Sequence, residues 1–165
     1  MTSERRVPTA DEGQFLAALS ALAASFDWEL RSFTRENEFV VVVGLDNDPS
    51  FEQLLWVYNA KDATMRCLLA SRSVVAPEHE GVILELCARI NAGLVFGCAE
   101  YSFEDKAVIF RDSSTLRLGA LVDVVESTSA RLLDLGARYA TAIVLTLAGT
   151  SPAEAVARVE SARGG

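Results

Sequence analysis

The sequence contains few of the residues that build catalytic and metal centres. Its 165 residues include one histidine, His79, and three cysteines, Cys67, Cys87 and Cys98. No two cysteines have the short spacing of a redox or zinc motif, and a sparse, odd-numbered set does not form a disulfide framework. We therefore expect three reduced cysteines, no bound metal and no cofactor.

Long apolar runs and basic clusters are also missing. No apolar run reaches the ~20 residues of a membrane-spanning helix, and the formal net charge is −8 with a sequence pI of about 4.7. An acidic chain repels phosphate, so it is a poor general binder of nucleic acids. Residues 15–26 follow the basic pair Arg5-Arg6 and loosely resemble a secretory signal. Asp11 and Glu12 interrupt that pattern, so we interpret the segment as a first helix and expect a cytoplasmic protein.

The sequence also lacks motifs for nucleophilic or nucleotide chemistry. It has no Gly-x-Ser-x-Gly, Gly-x-Gly-x-x-Gly or Walker pattern. His79 has no nucleophile or orienting partner nearby in the sequence. The acidic stretch 46–52 resembles a calcium loop, but Phe51 takes the required glycine position and Val57 the position of the bidentate glutamate. We therefore predict no catalytic residue and no enzymatic activity.

The residues that are abundant predict a single packed domain. Half of the chain is hydrophobic and 23% is charged, which suits one domain of this length. We assign residues 9–162 to that domain and residues 1–8 to a flexible tail. Periodicity and capping patterns predict first a helix, from the Thr9–Glu12 capping box to about Ser25, and then four strands, at Trp28–Thr34, Phe39–Val43, Leu54–Tyr58 and Met65–Leu69. A second helix begins at Pro77, and the residues on its buried side are Ile83, Leu86, Cys87, Ile90 and Leu94. The chain then forms a hairpin of Val95–Phe103 and Ala107–Arg111, a long helix ending at Gly149, and a short helix from Ser151 to Ala162. This order predicts an α+β fold with a mainly antiparallel sheet, and Phe39–Val43, apolar on both faces, should lie in the middle of it.

The long C-terminal helix carries a short heptad pattern. Apolar and small residues recur in steps of three and four at Leu118, Leu121, Val125, Thr128, Leu132, Leu135 and Tyr139. Such a face either forms a dimer seam or packs onto the sheet of its own chain. The sequence leaves both interpretations open.

Two segments carry a family resemblance. Ile90-Asn-Ala-Gly-Leu-Val-Phe-Gly97, followed by a two-strand hairpin ending in Arg111, resembles the YbjN family, whose members are labelled bacterial sensory transduction regulators. Arg138-Tyr139, then apolar residues and Gly149-Thr-Ser-Pro-Ala-Glu-Ala155, is similar to the end of the same family. The chain departs from the family at Cys98-Ala99, where members often carry His-Phe, and at Ala140, where they often carry proline.

The resemblance implies a fold like that of type III secretion chaperones, with N-terminal, central and C-terminal helices around an antiparallel sheet. It implies structural roles for Asn91, Gly97, Arg111 and Gly149, and it supplies no catalytic residue. Because chaperones with this fold commonly pair, it also predicts a homodimer, with the Leu118–Tyr139 face as the candidate seam.

Together, the resemblance and the scarcity of site chemistry predict a non-catalytic, chaperone-like regulator or adaptor that binds another, unidentified protein in bacterial signalling or stress response. The acidic balance favours a basic or neutral partner. The alternative is a small-molecule sensor with a pocket between sheet and helix. An enzyme would need two converging carboxylates in a cleft.

Overall fold

The computed structural model describes residues 10–116 and 121–162. The expected tail at 1–8, Thr9 of the first capping box and Leu118 of the heptad pattern lie outside these ranges. In chain order the elements are α1 (Ala10–Ala24), β1 (Arg31–Arg35), β2 (Glu38–Gly44), β3 (Phe51–Asn59), β4 (Thr64–Ser71), α2 (Glu80–Ala92), β5 (Cys98–Ser102), β6 (Ala107–Thr115), α3 (Leu121–Leu147) and α4 (Pro152–Ser161).

The strands form one six-stranded sheet in the order β1-β2-β3-β4-β6-β5, and every neighbouring pair is antiparallel. The predicted α+β class is therefore confirmed. Phe39–Val43 lies within β2, which pairs with β1 on one side and β3 on the other. Its predicted place in the interior of the sheet is also confirmed.

The helices pack on one face of this sheet. From α3, Ser129 Oγ accepts a 2.9 Å hydrogen bond from Trp56 Nε1, and both side chains are buried. From α1, the Phe15 ring stacks on Tyr58 at 5.1 Å between centroids. Helix α2 packs beside β5, and α4 packs against α2 and α3. The core therefore lies between the sheet and a layer of helices.

The heptad pattern of α3 belongs to this core. Val125, Thr128, Leu132, Leu135 and Tyr139 are all buried within the chain. The interpretation of this face as a dimer seam is therefore wrong, because its own sheet and neighbouring helices already cover it. The helix is unbroken over its 27 residues.

A glycine in the middle of α3 allows the close approach of helix and sheet. A Cβ atom at Gly136 would lie 2.4 Å from Leu69 Cδ2 and 2.9 Å from Phe51 Cζ. Both distances are shorter than a normal carbon–carbon contact. Gly136 therefore serves packing rather than helix termination.

Several predicted boundaries differ from the structure. Strand β3 begins at Phe51 rather than Leu54, and β6 continues to Thr115 rather than ending at Arg111, because both extend their pairing with β4. Asp27 has a φ of 57°, so the chain turns there and β1 begins at Arg31 rather than Trp28. Phe26, the last residue of the segment 15–26 that we interpret from the sequence as a first helix, lies beyond α1 and is 52% exposed. Residues Pro77–His79 form a 3₁₀ turn, so α2 begins at Glu80. The hairpin begins at Cys98 rather than Val95, because Gly97 has a φ of 70° and the extended strand starts only after it.

Candidate protein-binding surface

The face of the sheet that points away from the helices, here called the open face, is apolar at its centre. Strand register and side-chain alternation place on it Phe33, Val40, Val42, Leu55, Val57, Leu68, Ala70 and Ile109. No helix of the described residues packs on this face, yet three of these side chains, Val40, Val57 and Ala70, are buried. Antiparallel sheets normally carry polar residues on a solvated face. Of these residues only Phe33, on β1, is an exposed large hydrophobic side chain, and such a side chain is a candidate contact for another molecule.

The net charge of the open face is opposite in sign to the net charge of the whole chain. It carries four arginines, at 31, 35, 66 and 111, and two glutamates, Glu38 and Glu100. Arg66 pairs with Glu38, and Arg111 pairs with Glu100. Arg31 and Arg35, on β1, have no ion-pair partner among the described residues. The face is thus locally basic in a chain of net charge −8.

In the folded sheet Arg111 lies beside Cys98, although the two residues are not adjacent in the sequence. The two residues are directly opposite in the β5–β6 ladder, and Arg111 Nη2 donates to Cys98 Sγ at 3.7 Å. Burial nevertheless raises the pKa of the Cys98 thiol, and the hydrogen bond from Arg111 only partly offsets that effect. Cys98 is therefore protonated near neutral pH and lacks the thiolate character of a redox cysteine.

Asn91 closes one edge of the sheet. Its Oδ1 accepts from the Ala99 N–H at 2.7 Å, and its Nδ2 donates to the Ala99 carbonyl at 2.9 Å. Ala99 lies on β5, an outer strand, so the Asn91 amide occupies the place of a further strand. Tyr101 Oη adds a 3.1 Å hydrogen bond to Glu80 of α2. Helix α2 therefore shields the β5 edge from a partner strand.

The two motif glycines meet requirements of the backbone. Gly97 combines a φ of 70° with close contacts, since a Cβ there would lie 3.1 Å from the Arg111 carbonyl oxygen and 3.1 Å from Leu135 Cδ2. Gly149 has a φ of 96° and ends α3, where the Thr150 N–H donates to the Leu145 carbonyl at 2.9 Å. This is the left-handed helix terminus that glycine favours.

The other edge of the sheet is open. Strand β1 pairs with β2, and no strand of the described residues pairs with its outer side. Residues Glu36–Asn37 form the turn to β2, and Arg35 pairs with Glu38 across it. Since hydrogen-bonded and non-hydrogen-bonded pairs alternate from that turn, the N–H and C=O groups of Ser32 and Thr34 point away from the sheet. The alternate residues of β1, Arg31, Phe33 and Arg35, present their side chains to the open face, and Phe33 is 40% exposed.

An acidic groove of about 580 Å³ lies at one end of the sheet. Phe26 and Trp28 form one wall, with their rings stacked at 4.5 Å. The carboxylate residues that line it are Asp27, Glu29, Asp46 and Asp48. Asp48 Oδ1 accepts from the N–H groups of Ser50 and Phe51 at 2.8 and 2.9 Å, so it stabilises the turn between β2 and β3.

The remaining chemistry-bearing residues are dispersed. Burial raises the pKa of Cys87 to about 11 and raises that of Cys67 further. His79 is part-buried in the 3₁₀ turn before α2. Among residues 10–116 and 121–162, no three His, Cys, Asp or Glu side chains lie close enough to hold a metal ion, and no helix is long and apolar enough to cross a membrane.

Comparison with known protein families, curated proteins and solved structures finds no match to this chain. The resemblance to the YbjN family and to the type III secretion chaperone fold stays a prediction.

Proposed function

We propose that this protein is a non-catalytic regulator or adaptor that binds a protein partner by adding an extended segment of that partner to β1. The observation that carries the proposal is the outer edge of β1, which no strand of the described residues pairs with. There an exposed phenylalanine lies between two arginines that have no ion-pair partner in the described ranges. The opposite edge is closed by Asn91. Strand addition at β1 therefore needs no rearrangement of the described chain.

The backbone of β1 supplies the general affinity. On its inner side β1 forms an antiparallel ladder of hydrogen bonds with β2. The outward N–H and C=O groups of Ser32 and Thr34 can form a similar ladder with a partner segment. Recognition of this kind takes its affinity from main-chain hydrogen bonds and its specificity from alternate side chains.

The side chains of β1 favour a particular segment. Arg31, Phe33 and Arg35 alternate onto one face, so a matching partner strand carries an apolar residue between two carboxylates, each two positions away. Antiparallel pairing of β1 with the β1 of another copy, centred on Phe33, would place Arg31 opposite Arg35 of that copy. The like charges disfavour this self-pairing. The charge of the whole chain predicts a basic or neutral partner, whereas the charges at β1 favour an acidic segment.

A designed peptide tests the proposal directly. We expect a labelled nine-residue strand-forming peptide, with valine between two glutamates at the stated spacing, to bind in fluorescence anisotropy and to weaken as salt is added. The double variant Arg31→Glu/Arg35→Glu should lose this peptide and gain the corresponding lysine peptide. The matched control Arg89→Glu/Arg158→Glu changes net charge equally on exposed helix surfaces and should keep the original preference.

A backbone variant separates strand addition from simple charge attraction. Thr34→Pro removes an outward N–H while leaving the bonds between β1 and β2 in place, since proline is tolerated at such edge positions. We expect the variant to fold, by circular dichroism, and to lose the peptide. Unchanged binding would contradict strand addition. Reproducible turnover in a hydrolase and transferase screen that disappears when one carboxylate is mutated would favour an enzyme instead.

The wider setting belongs to the same proposal. A chaperone-like role in bacterial signalling or stress response, in the cytoplasm, is what the YbjN resemblance supports. The alternative of a small-molecule sensor stays a prediction, and the groove beside Phe26 and Trp28 is the described cavity where a ligand would be tested.

A further inference from the structure

We infer that the acidic groove at the end of the sheet binds a small organic cation of the linear polyamine class. Its ammonium groups lie against carboxylates and its methylene chain lies against Phe26 and Trp28. The inference goes beyond the proposed function and does not rest on it, because strand addition uses the backbone of β1, whereas the groove is formed by the segment before β1 and the loop between β2 and β3. Its volume of about 580 Å³ is within the range of ~300–1,000 Å³ that is usual for small-molecule sites.

The aromatic wall of the groove is the first feature that points to such a ligand. Phe26 lies beyond the end of α1 and is 52% exposed. Its ring stacks on Trp28 with an angle of 17° between the planes, and Trp28 in turn lies 6.4 Å from the buried ring of Trp56. The wall is therefore an apolar surface that is open to solvent on one side and anchored to the core on the other. The faces of aromatic rings attract cations.

The charge of the groove is the second feature, because all of its charged side chains are carboxylates. Among the described residues, no lysine, arginine or histidine lines the groove. Asp48 is held by the N–H groups of its own turn. The other three carboxylates, Asp27, Glu29 and Asp46, form no ion pair within the described ranges. A cleft lined by charge of one sign concentrates ions of the opposite sign.

Two arginines lie near the groove without neutralising it. Arg72 donates to three backbone carbonyl groups within residues 45–51, at distances of 2.7 to 3.0 Å, so it holds the loop rather than a carboxylate. Arg31 Nη2 and Asp46 Oδ1 lie 3.9 and 3.5 Å from the position that a Cβ atom would take at Gly44, but the two side chains form no ion pair. The protein thus fixes the loop and leaves its carboxylate free for a ligand.

The spread of the carboxylates favours an elongated cation over a metal ion. Within the part of the chain that the structure describes, no three acidic, histidine or cysteine side chains lie close enough to hold one metal ion. A compact cation therefore meets only part of the charge of the groove. Ammonium groups separated by methylene carbons can each meet a different carboxylate, and the carbons between them can pack on the aromatic wall, as the alkyl stem of lysine packs on apolar surfaces.

Isothermal titration calorimetry of the full chain with spermidine tests the inference. At about 100 mM NaCl, which screens general charge attraction, we expect one saturable site with a Kd below about 1 mM. Magnesium chloride tests for binding of any multivalent cation. A trilysine peptide with blocked ends carries the same charge as spermidine and tests for recognition of a basic protein segment. Spermidine should bind more tightly than either. Absence of saturable binding, or equal or tighter binding of magnesium or trilysine, would overturn the inference.

Matched pairs of substitutions locate the site. Glu29→Gln/Asp46→Asn removes two exposed carboxylates from the groove and should raise the Kd of spermidine by about five- to thirtyfold. Glu104→Gln/Glu126→Gln removes the same charge from exposed positions elsewhere and should change the Kd by less than about twofold. Phe26→Ala shortens the aromatic wall and should raise the Kd by about two- to fivefold. An equal loss of affinity in both double variants would show charge attraction alone and would contradict the site.

The indole N–H groups report where the ligand binds. The chain has two tryptophans, of which Trp28 lines the groove and Trp56 is fully buried. In a nitrogen–proton correlation spectrum, with the signals assigned through Trp28→Phe, spermidine should shift the Trp28 indole signal more than that of Trp56. The shift should saturate with the Kd that calorimetry gives. A Trp28 signal that does not move at saturating spermidine would refute binding in this groove.

Discussion

Replacement of Gly136 by alanine should destabilise the protein, although the same change stabilises most helix interiors. Gly136 lies in the middle of α3, and the added methyl group would lie 2.4 Å from Leu69 Cδ2 and 2.9 Å from Phe51 Cζ. Leu69 is fully buried, and Phe51 is held edge-on against Phe110 with ring centroids 6.1 Å apart. Two packed side chains must therefore move at once.

Two opposing terms set the magnitude. Alanine is favoured over glycine in a helix by about 0.5–1 kcal/mol. Overpacking a close-packed core costs about 1–3 kcal/mol, and the contacts at Gly136 place it in the upper part of that range. We therefore expect a net loss of about 1–2 kcal/mol in the free energy of unfolding.

Urea denaturation measures this loss, and another glycine provides the matched control. A Cβ at Gly13 in α1 would meet nothing within 4 Å, so Gly13→Ala should stabilise the protein by about 0.5–1 kcal/mol. In a Leu69→Ala background the space beside Gly136 opens, and Gly136→Ala should become neutral or stabilising. If Gly136→Ala stabilises the wild type as much as Gly13→Ala does, the close-packing argument is refuted.

Further predictions concern the core, the thiols and the closed edge. Leu86→Ala and Ile90→Ala should each cost about 2–5 kcal/mol in urea denaturation, because both side chains are fully buried on α2; losses below about 1 kcal/mol for both would contradict this. Thiol titration should detect Cys98 alone in the native protein and three thiols after denaturation, and stoichiometric zinc would contradict the assignment. Folding raises the pKa of Cys87 from 9.0 to about 11, so the buried, protonated thiol stabilises the fold below pH 9. The wild type should lose this stabilisation between pH 9 and 11, whereas Cys87→Ala, which has no thiol there, should not show that loss. Asn91→Ala should cost about 1–3 kcal/mol and accelerate hydrogen exchange of the β5 amide that Asn91 binds; unchanged exchange would exclude the edge-closing role.

Local periodicity predicts most of the elements, because it records which side chains turn inward. The spacing of Ile83, Leu86, Cys87 and Ile90 identifies the buried side of α2, and all four are buried. The fifth predicted residue, Leu94, is wrong as a helix position, because α2 ends at Ala92, and it is only part-buried. Boundaries that depend on single backbone angles are not encoded in this way. The φ angles at Asp27 and Gly97 shorten two strands. Glycine permits a positive φ, but periodicity does not show which glycine adopts one.

The candidate surface is predictable only in part. Alternation within Phe39–Val43 shows that both sides of the strand are apolar, but whether a helix covers each side depends on where distant segments pack. All the described helices pack on one side, so the second apolar side forms the open face. Likewise, the contact between Arg111 and Cys98 and the open edge of β1 depend on strand order and register. These properties belong to the assembled sheet and not to any one segment.

The unequal edges of the sheet limit how far it can grow. A sheet with two exposed edges can add neighbours at both ends, and repeated addition produces an open filament. In the described chain the Asn91 amide occupies the outward backbone groups of Ala99 on β5. Copies of this chain therefore cannot join edge to edge through both sides of the sheet in succession, which disfavours growth into a filament.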